Sequence, residues 1–208
     1  LFILPFVVRN IGVEEFGKIG LSQTFGIFII LFMEFGFSLM ATRKVAIEKH
    51  NIEKIKLFIG QTTTFKILLI PIIILITIII ILFVPTFYQN SNYLIIVSVG
   101  AIFQGLAPTW YFQGLEKMKQ IALSKTVFRI VAFIIILLFV GSPDDAWIVL
   151  ASYSISSVFI CMYLFISMNK IIGKFDLVNI YQAKQVFHKS KYSFIITILP
   201  TVYHNASM

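Results

Sequence analysis

The 208 residues are 59% hydrophobic and only 12% charged, with a formal net charge of +8 and a mean hydropathy of +0.95. A soluble domain carries about 25% charged and about 45–50% apolar residues, so a water-soluble globule is excluded and a bilayer is the solvent that fits. The basic residues stand in short tracts between long apolar runs, which is how membrane-flanking charge is laid out, and this argues against nucleic acid as a partner.

Crossing the hydrocarbon core takes about 20 apolar residues. Residues 1–8 read as the tail of a first span, 19–41 as a second, and 62–84, with its run IPIIILITIIIILFV, as a third. Residues 93–111, 121–140 and 146–168 make the fourth, fifth and sixth, and 192–208 open a seventh. None of these runs alternates polar with apolar, so they are helices rather than barrel strands. The fold class is therefore all-α, a polytopic helical membrane protein. No signal-peptide pattern opens the chain, Leu1 is not an initiator methionine, and both ends fall within apolar runs. A chain cut inside a helix at each end is expected. The lone Cys161 sits in an apolar run and implies no disulfide framework.

Charge orients the spans. The loop after the second holds Arg43, Lys44, Lys49, Lys54 and Lys56, with Lys66 just inside the third. Lys117, Lys119 and Lys125 follow the fourth, with Arg129 inside the fifth, and Lys170, Lys174, Lys184, Lys189 and Lys191 follow the sixth. The odd loops are poor in bases: 85–92 is uncharged, 141–145 holds only Asp144 and Asp145, and 9–18 sets Arg9 and Lys18 against Glu14 and Glu15. Basic loops stay in the cytoplasm, so the even-numbered loops are expected there. Trp110 and Tyr111 read as anchors at the inner boundary, and Tyr88, Tyr93 and Trp147 at the outer one. In the even loops, Ile52, Ile55 and Ile59 recur at helical spacing beside Lys54 and Lys56. Phe175, Val178, Val186 and Phe187 alternate with Lys174, Lys184 and Lys189. Short interfacial helices and solvated basic linkers fit these segments equally well.

Glu34 is the most informative residue for chemistry. It falls about two-thirds through the second span, roughly 10 Å of helix rise from its cytoplasmic end. A charge in hydrocarbon costs at least a few kcal/mol, so its side chain must face a bundle interior or a wet cavity. Gln23, Ile27, Ile30 and Ser38 share its helical stripe. A coupling group for a proton or cation, a cavity wall and a buried pair with a base are all compatible with it. Lys66 and Arg129 lie one or two turns inside their spans, where long basic chains snorkel or, if turned inward, form a cationic vestibule. Lys125 and Arg129 are four apart and share a helix face. Pro108, in QGLAPTWYFQG, removes a helical hydrogen bond and kinks the fourth span. Ser152, Ser154, Ser156 and Ser157, with His204 and Asn205, read as helix-packing groups. His50, His188 and His204 do not cluster, no metal site is expected, and no phosphate-binding glycine loop or nucleophile–base set occurs. Neither an enzyme nor a bound cofactor is expected.

The stretch Pro108-Thr109-Trp110-Tyr111-Phe112-Gln113-Gly114-Leu115-Glu116-Lys117-Met118 resembles the PxWxFQGxEKM signature of bacterial Wzx-type O-antigen flippases. Residues 34–43 (EFGFSLMATR) are similar to that family's acidic-aromatic-Gly-Phe motif, with Glu34 where Asp is frequent, and residues 9–17 (RNIGVEEFG) resemble its first outer loop. The likeness covers essentially the whole chain. It implies membership of the multidrug/oligosaccharidyl-lipid/polysaccharide exporter superfamily, with two six-helix lobes working by alternating access. Residues 1–168 would be the N-terminal transmembrane lobe, 169–191 a cytoplasmic inter-lobe linker and 192–208 the start of the second lobe.

The implied cargo is an undecaprenyl-pyrophosphate-linked oligosaccharide, moved across the bacterial cytoplasmic (inner) membrane. The implied coupling is to a proton or sodium gradient, and the implied partners are membrane lipid and other polysaccharide assembly proteins. Glu34, Arg43, Lys66, Lys117 and Arg129 are then the cavity or coupling candidates. Pro108, Trp110, Phe112, Gln113, Gly114, Glu116, Lys117 and Met118 are the motif residues. A drug/cation antiporter of the same superfamily is the nearest rival, but it would favour acids in the cavity, where only Glu34 qualifies. A membrane-embedded polysaccharide polymerase is the rival from another class, and the odd loops are too short for the large outer loop it would need.

Overall fold

A computed structural model describes residues 3–34 and 36–183, with side chains from Pro5 onward. Among the described residues the chain is α-helical and contains no strand. The helices are α1 (Ile3–Glu34), α2 (Phe37–Glu48), α3 (Ile52–Phe83), α4 (Pro85–Gln89), α5 (Ser91–Leu106), α6 (Thr109–Gly114), α7 (Met118–Phe139) and α8 (Ala146–Ile172), the last entered through a short 3-10 turn, Pro143–Asp145. Five segments are long and apolar enough to cross a membrane: Pro5–Glu34, Ile52–Phe83, Ser91–Gly114, Met118–Phe139 and Pro143–Ile172. Their outward faces are apolar, with Leu75, Leu82, Phe83, Leu138 and Ile166 among the most exposed side chains. That is the reverse of a soluble fold and the pattern a lipid-facing bundle needs. The seventh apolar run, with His204 and Asn205, and residues 184–191 lie outside the described residues.

Residues 9–18, expected as a loop, are helical and are interrupted only at Gly12, whose backbone (φ 83, ψ 166) breaks the ladder. No proline stops the helix after it, and Lys18 pairs with Glu14 at 3.0 Å and Glu15 at 2.7 Å across single turns, spacings that support a helix. The second span also differs from expectation. Its helix ends at Glu34, and Gly36 takes the left-handed conformation (φ 68, ψ 4) before α2 begins. Glu34 is thus the last residue of a helix rather than an interior one. The fourth span does more than kink. The non-helical backbone of Ala107 (ψ 132) and Pro108 (ψ 50) separates α5 from α6.

Residues 52–59 are the opening turns of α3, capped by the Asn51 side chain accepting from the Lys54 amide at 3.2 Å. Ile55 and Ile59 are buried, so this segment is not a separate interfacial helix. Residues 173–179 form no helix, yet they are not a free linker. Phe175 packs on the core at that end, and the Val178 amide donates to Thr64 Oγ1 at 3.1 Å.

Three helices run parallel along one seam. Tyr93 meets Glu15, Gly26 lies against Val97 and Ala101, and Gly105 lies against Met33, so successive contacts climb α1 and α5 in the same sense. Ser154 packs on Gly100, and its hydroxyl donates to Ile96 O at 2.8 Å; with Val149 and Leu150 beside Val97 and Cys161 and Phe165 beside Phe103 and Leu106, α8 runs along α5 in that sense too. Small residues at such crossings let membrane helices approach closely, with van der Waals packing in place of a hydrophobic drive. A Cβ on Gly100 would stand 2.5 Å from Ser154 Oγ and 2.7 Å from its Cα. Antiparallel α7 closes the other side of α8, with Phe128 stacked on Phe159 at 5.7 Å and Ile136 and Val140 beside Val149 and Leu150.

Candidate functional site

A polar groove follows the seam. One hollow of about 420 Å³ is walled by Gln23, Ile27 and Ile30 of α1, Gln104 of α5, and Tyr153, Ser154 and Ser157 of α8, with Arg129 reaching in from α7. A smaller one of about 120 Å³ adjoins it, walled by Glu34, Gln104, Ala107, Thr109, Lys125, Arg129 and Ser157. The stripe of Gln23, Ile27, Ile30 and Glu34 faces this space as its 3.6-residue period requires; Ser38, beyond the break at Gly36, does not line it. The groove exists because α1, α5 and α8 touch through Gly26, Gly100, Gly105 and Ser154, which brings three backbones together while leaving the longer polar side chains room beside the crossings.

The groove's charge lies at one end. Arg129 is half-buried, and its guanidinium carbon stands 5.0 Å from the Tyr153 ring centroid, a cation–π seat that favours arginine. Lys125 lies one turn earlier on the same face, as the i, i+4 spacing indicates. Among the described residues no ion pair holds Glu34, Lys125 or Arg129. Two bases and one acid therefore converge on a wet pocket with hydrogen-bonding capacity unspent. That arrangement suits an anion accepting a planar fork from arginine and a point charge from lysine.

The other sequence candidates fall elsewhere. Lys66 is only 3% exposed and neither snorkels nor enters the groove. Its ammonium donates to the Gly105 carbonyl. That carbonyl has lost its helical partner, because the Thr109 amide four residues on bonds to Ala107 O instead. Lys66 thus satisfies a backbone group that the break at Pro108 frees inside the bundle, where water cannot. Glu34 is the acid within electrostatic reach of it. Arg43 on α2 and Lys117 at the start of α7 are exposed and line neither hollow. Tyr153 was not singled out from the sequence; a lone tyrosine in mid-span was the available signal.

A family profile described as "Polysaccharide biosynthesis protein" matches residues 1–207. The chain belongs to that family. Among curated proteins, an Escherichia coli (strain K12) protein named "Putative O-antigen transporter" is 33% identical over 147 residues, covering 70% of this chain and 35% of that protein. A Shigella dysenteriae protein of the same name is 29% identical over 143 residues, covering 69% of this chain and 36% of that protein. The chain thus spans about a third of the length of the curated relatives it matches. No solved structure matches it. The resemblance to Wzx-type flippases holds at the level of the family, and the five apolar helices make this family member a multi-pass membrane protein.

Apart from Thr109, which walls the smaller hollow, the signature stretch is a joint between helices. Pro108, Trp110, Tyr111, Phe112 and Gly114 are buried, and α6 lies on α2. A Cβ on Gly114 would stand 2.7 Å from both the Thr42 carbonyl and Val45 Cβ. The Thr42 hydroxyl donates to Ser38 O at 2.7 Å and stands 3.3 Å from Gln113 Oε1 and 3.4 Å from the Trp110 carbonyl. Trp110 and Phe58 pack edge to face at 5.7 Å, and the Lys44 ammonium stands over the Phe58 ring at 4.0 Å. Trp110 and Tyr111 are therefore core residues and not the inner-boundary anchors expected of them; the turn at Pro108 swings them into the bundle. Tyr88 and Trp147 do remain exposed.

The end of the motif is a helix stop. The Lys117 amide reaches back to Phe112 O (2.8 Å) and the Glu116 amide to Gln113 O (3.0 Å), with Glu116 left-handed at φ 59. This is the paired closure of a Schellman turn. The side chains of Glu116, Lys117 and Met118 stay exposed.

Proposed function

We propose that this chain forms part of an exporter that carries an undecaprenyl-pyrophosphate-linked saccharide repeat unit across the cytoplasmic membrane, exposing the seam groove alternately to each side. The observation that supports it most is the convergence of Lys125 and Arg129 on one wet pocket with Glu34, at the end of a polar track between parallel spans. A diphosphate head needs cations and hydration, while a polyprenyl tail needs only the surrounding lipid. The transporter names of two relatives favour a carrier over a catalyst. The excess of base over acid favours an anionic cargo over the cationic drugs of the rival reading. Glu34 is the candidate coupling acid for a proton or sodium gradient, standing across the pocket from Arg129.

Under this proposal the Lys125–Arg129 end faces the cytoplasm, which the basic even-numbered loops favour. In this reading residues 1–168 act as one lobe and residues from 192 onward begin another.

The test is complementation in a strain deleted for the gene, with the protein as that strain makes it. Arg129→Ala and Glu34→Gln are expected to lower surface polysaccharide at least tenfold and to leave lipid-linked repeat units accumulating in the inner leaflet. Arg43→Ala, on the exposed face of α2, is expected to export nearly normally. Normal surface polysaccharide from Arg129→Ala at normal membrane levels would overturn the assignment.

A further inference from the structure

At the end of the seam opposite Arg129 lies a third, separate hollow of about 590 Å³, walled by Glu15 of α1, Asn92 and Tyr93 of α5, Asp144 of the 3-10 turn and Trp147 of α8, with Ile95, Ile96 and Pro143 as its apolar part. It is about 28 Å from the level of Glu34, counting nineteen residues of α1 at 1.5 Å each. Resting on the export reading above, we propose that this hollow is a carbohydrate-binding shelf that receives the saccharide at the far end of the track.

The shelf is preorganised by bonds that do not consume its ligand-facing groups. Asp145 Oδ2 accepts from the Gly141 amide (3.1 Å), the Ser142 amide (2.9 Å) and the Ser142 hydroxyl (2.8 Å). This closes a capping box that fixes the Pro143–Asp145 turn. The fixed turn sets Asp144 and Trp147, three residues apart, on one side of the helix entrance. Across the hollow, the Tyr93 hydroxyl donates to Glu15 Oε2 at 2.8 Å, and Lys18 donates to Glu15 Oε1 at 2.7 Å. These bonds tie α1 to α5 and hold the tyrosine ring in place. What remains unspent is one carboxylate, Asp144, one carboxamide, Asn92, and the half-exposed indole of Trp147 (49%).

That inventory selects the ligand class. A divalent cation would want several free oxygen ligands. Both oxygens of Glu15 are already engaged, one by Lys18 and one by the Tyr93 hydroxyl, and the described residues contain no group of three potential metal ligands. An anion would meet carboxylates. A pyranose has an apolar face of C–H groups and an edge of hydroxyls. The indole offers a flat apolar surface with a donor at its rim, and a carboxylate beside a carboxamide supplies acceptors and donors for vicinal hydroxyls. The volume lies within the range of about 300–1,000 Å³ typical of small-molecule sites. The division of labour along the seam follows: bases for the diphosphate at one end, and an aromatic–acid–amide shelf for sugar at the other.

The experiment titrates the protein in nanodiscs with the single repeat-unit oligosaccharide, freed of lipid, from the polysaccharide of the source strain. The readout is tryptophan fluorescence. Trp147 is half-exposed and Trp110 is buried, so a ligand on the shelf changes mainly the Trp147 emission. A saturable change is expected. Asp144→Asn should weaken it at least tenfold, Trp147→Phe should abolish the emission change while calorimetry still detects binding, and Trp147→Ala should abolish both. Inorganic pyrophosphate is expected to leave the Trp147 emission unchanged. No saturable response to the oligosaccharide, or an affinity unaltered in Asp144→Asn, overturns the shelf. Arg129→Ala should stop export yet keep the oligosaccharide response. A shelf that fails while export still depends on Arg129 leaves the export reading standing, and export indifferent to Arg129 sinks that reading whatever the shelf binds.

Discussion

Glu116 is one of the signature residues, yet what the fold asks of it is a backbone angle. Its φ of 59 lies where a side chain costs roughly 1–2 kcal/mol relative to glycine. Glu116→Gly is therefore expected to raise stability by about 1 kcal/mol without loss of export, checked by thermal unfolding in detergent alongside complementation. Gly36 is the mirror case at φ 68. Gly36→Ala should cost about 1–3 kcal/mol, read as a lower unfolding temperature and reduced membrane level. Lys66→Met should orphan the Gly105 carbonyl at a cost of about 1–3 kcal/mol, whereas a lysine that merely snorkelled would tolerate methionine. The sequence could not separate these two roles for Lys66. A base one or two turns inside a span reads the same whether it reaches out to the headgroups or in to a broken helix. The stripe of Gln23, Ile27, Ile30 and Glu34 was legible, because its period fixes which residues share a face whatever the helix packs against.

At the scale of elements, the close crossings decide where substitutions hurt. Gly100→Ala forces α5 away from α8 and is expected to cost about 1–3 kcal/mol by overpacking. Gly20→Ala on α1, with nothing within 4 Å of the added methyl, should be neutral or gain up to about 1 kcal/mol from helix propensity. Comparing the two unfolding temperatures checks the crossing directly. The break at Pro108 was foreseeable as a kink, since proline cannot complete the ladder. The break at Gly36 was not, because glycine is common in unbroken membrane helices and only its left-handed angle, a tertiary outcome, reveals the turn. The aromatic pair Trp110–Tyr111 misled for a related reason. Position at the end of a span matches an interfacial belt, and a turn immediately before it sends the same rings inward.

For the whole molecule, the asymmetry of charge makes a directional prediction. Reporter fusions after residue 50 should be active with a cytoplasmic reporter, and fusions after residues 90 and 142 with an exported one; the opposite pattern would refute the orientation. The apolar lengths carried the helical type of the spans but not their number: residues 1–8 and 19–41, expected as two spans, fall largely on the one stretch Ile3–Glu34, broken at Gly12, so five rather than six are found among the described residues. The groove was not countable from those lengths, because it depends on three parallel helices meeting through glycines far apart in sequence. The two breaks also have an electrostatic consequence. A helix ends with about half a negative charge on its free carbonyls, and α1 and α5 both end inside the bundle, beside the Glu34–Arg129 pocket and Lys66. These interior termini act as counter-charges built from backbone for the buried Lys66 and for the pocket's bases before any anion arrives. Making either helix continuous, as Pro108→Ala tends to do, would remove that terminus as well as straighten the span. A defect in such a variant would then come from stranded positive charge as much as from altered shape.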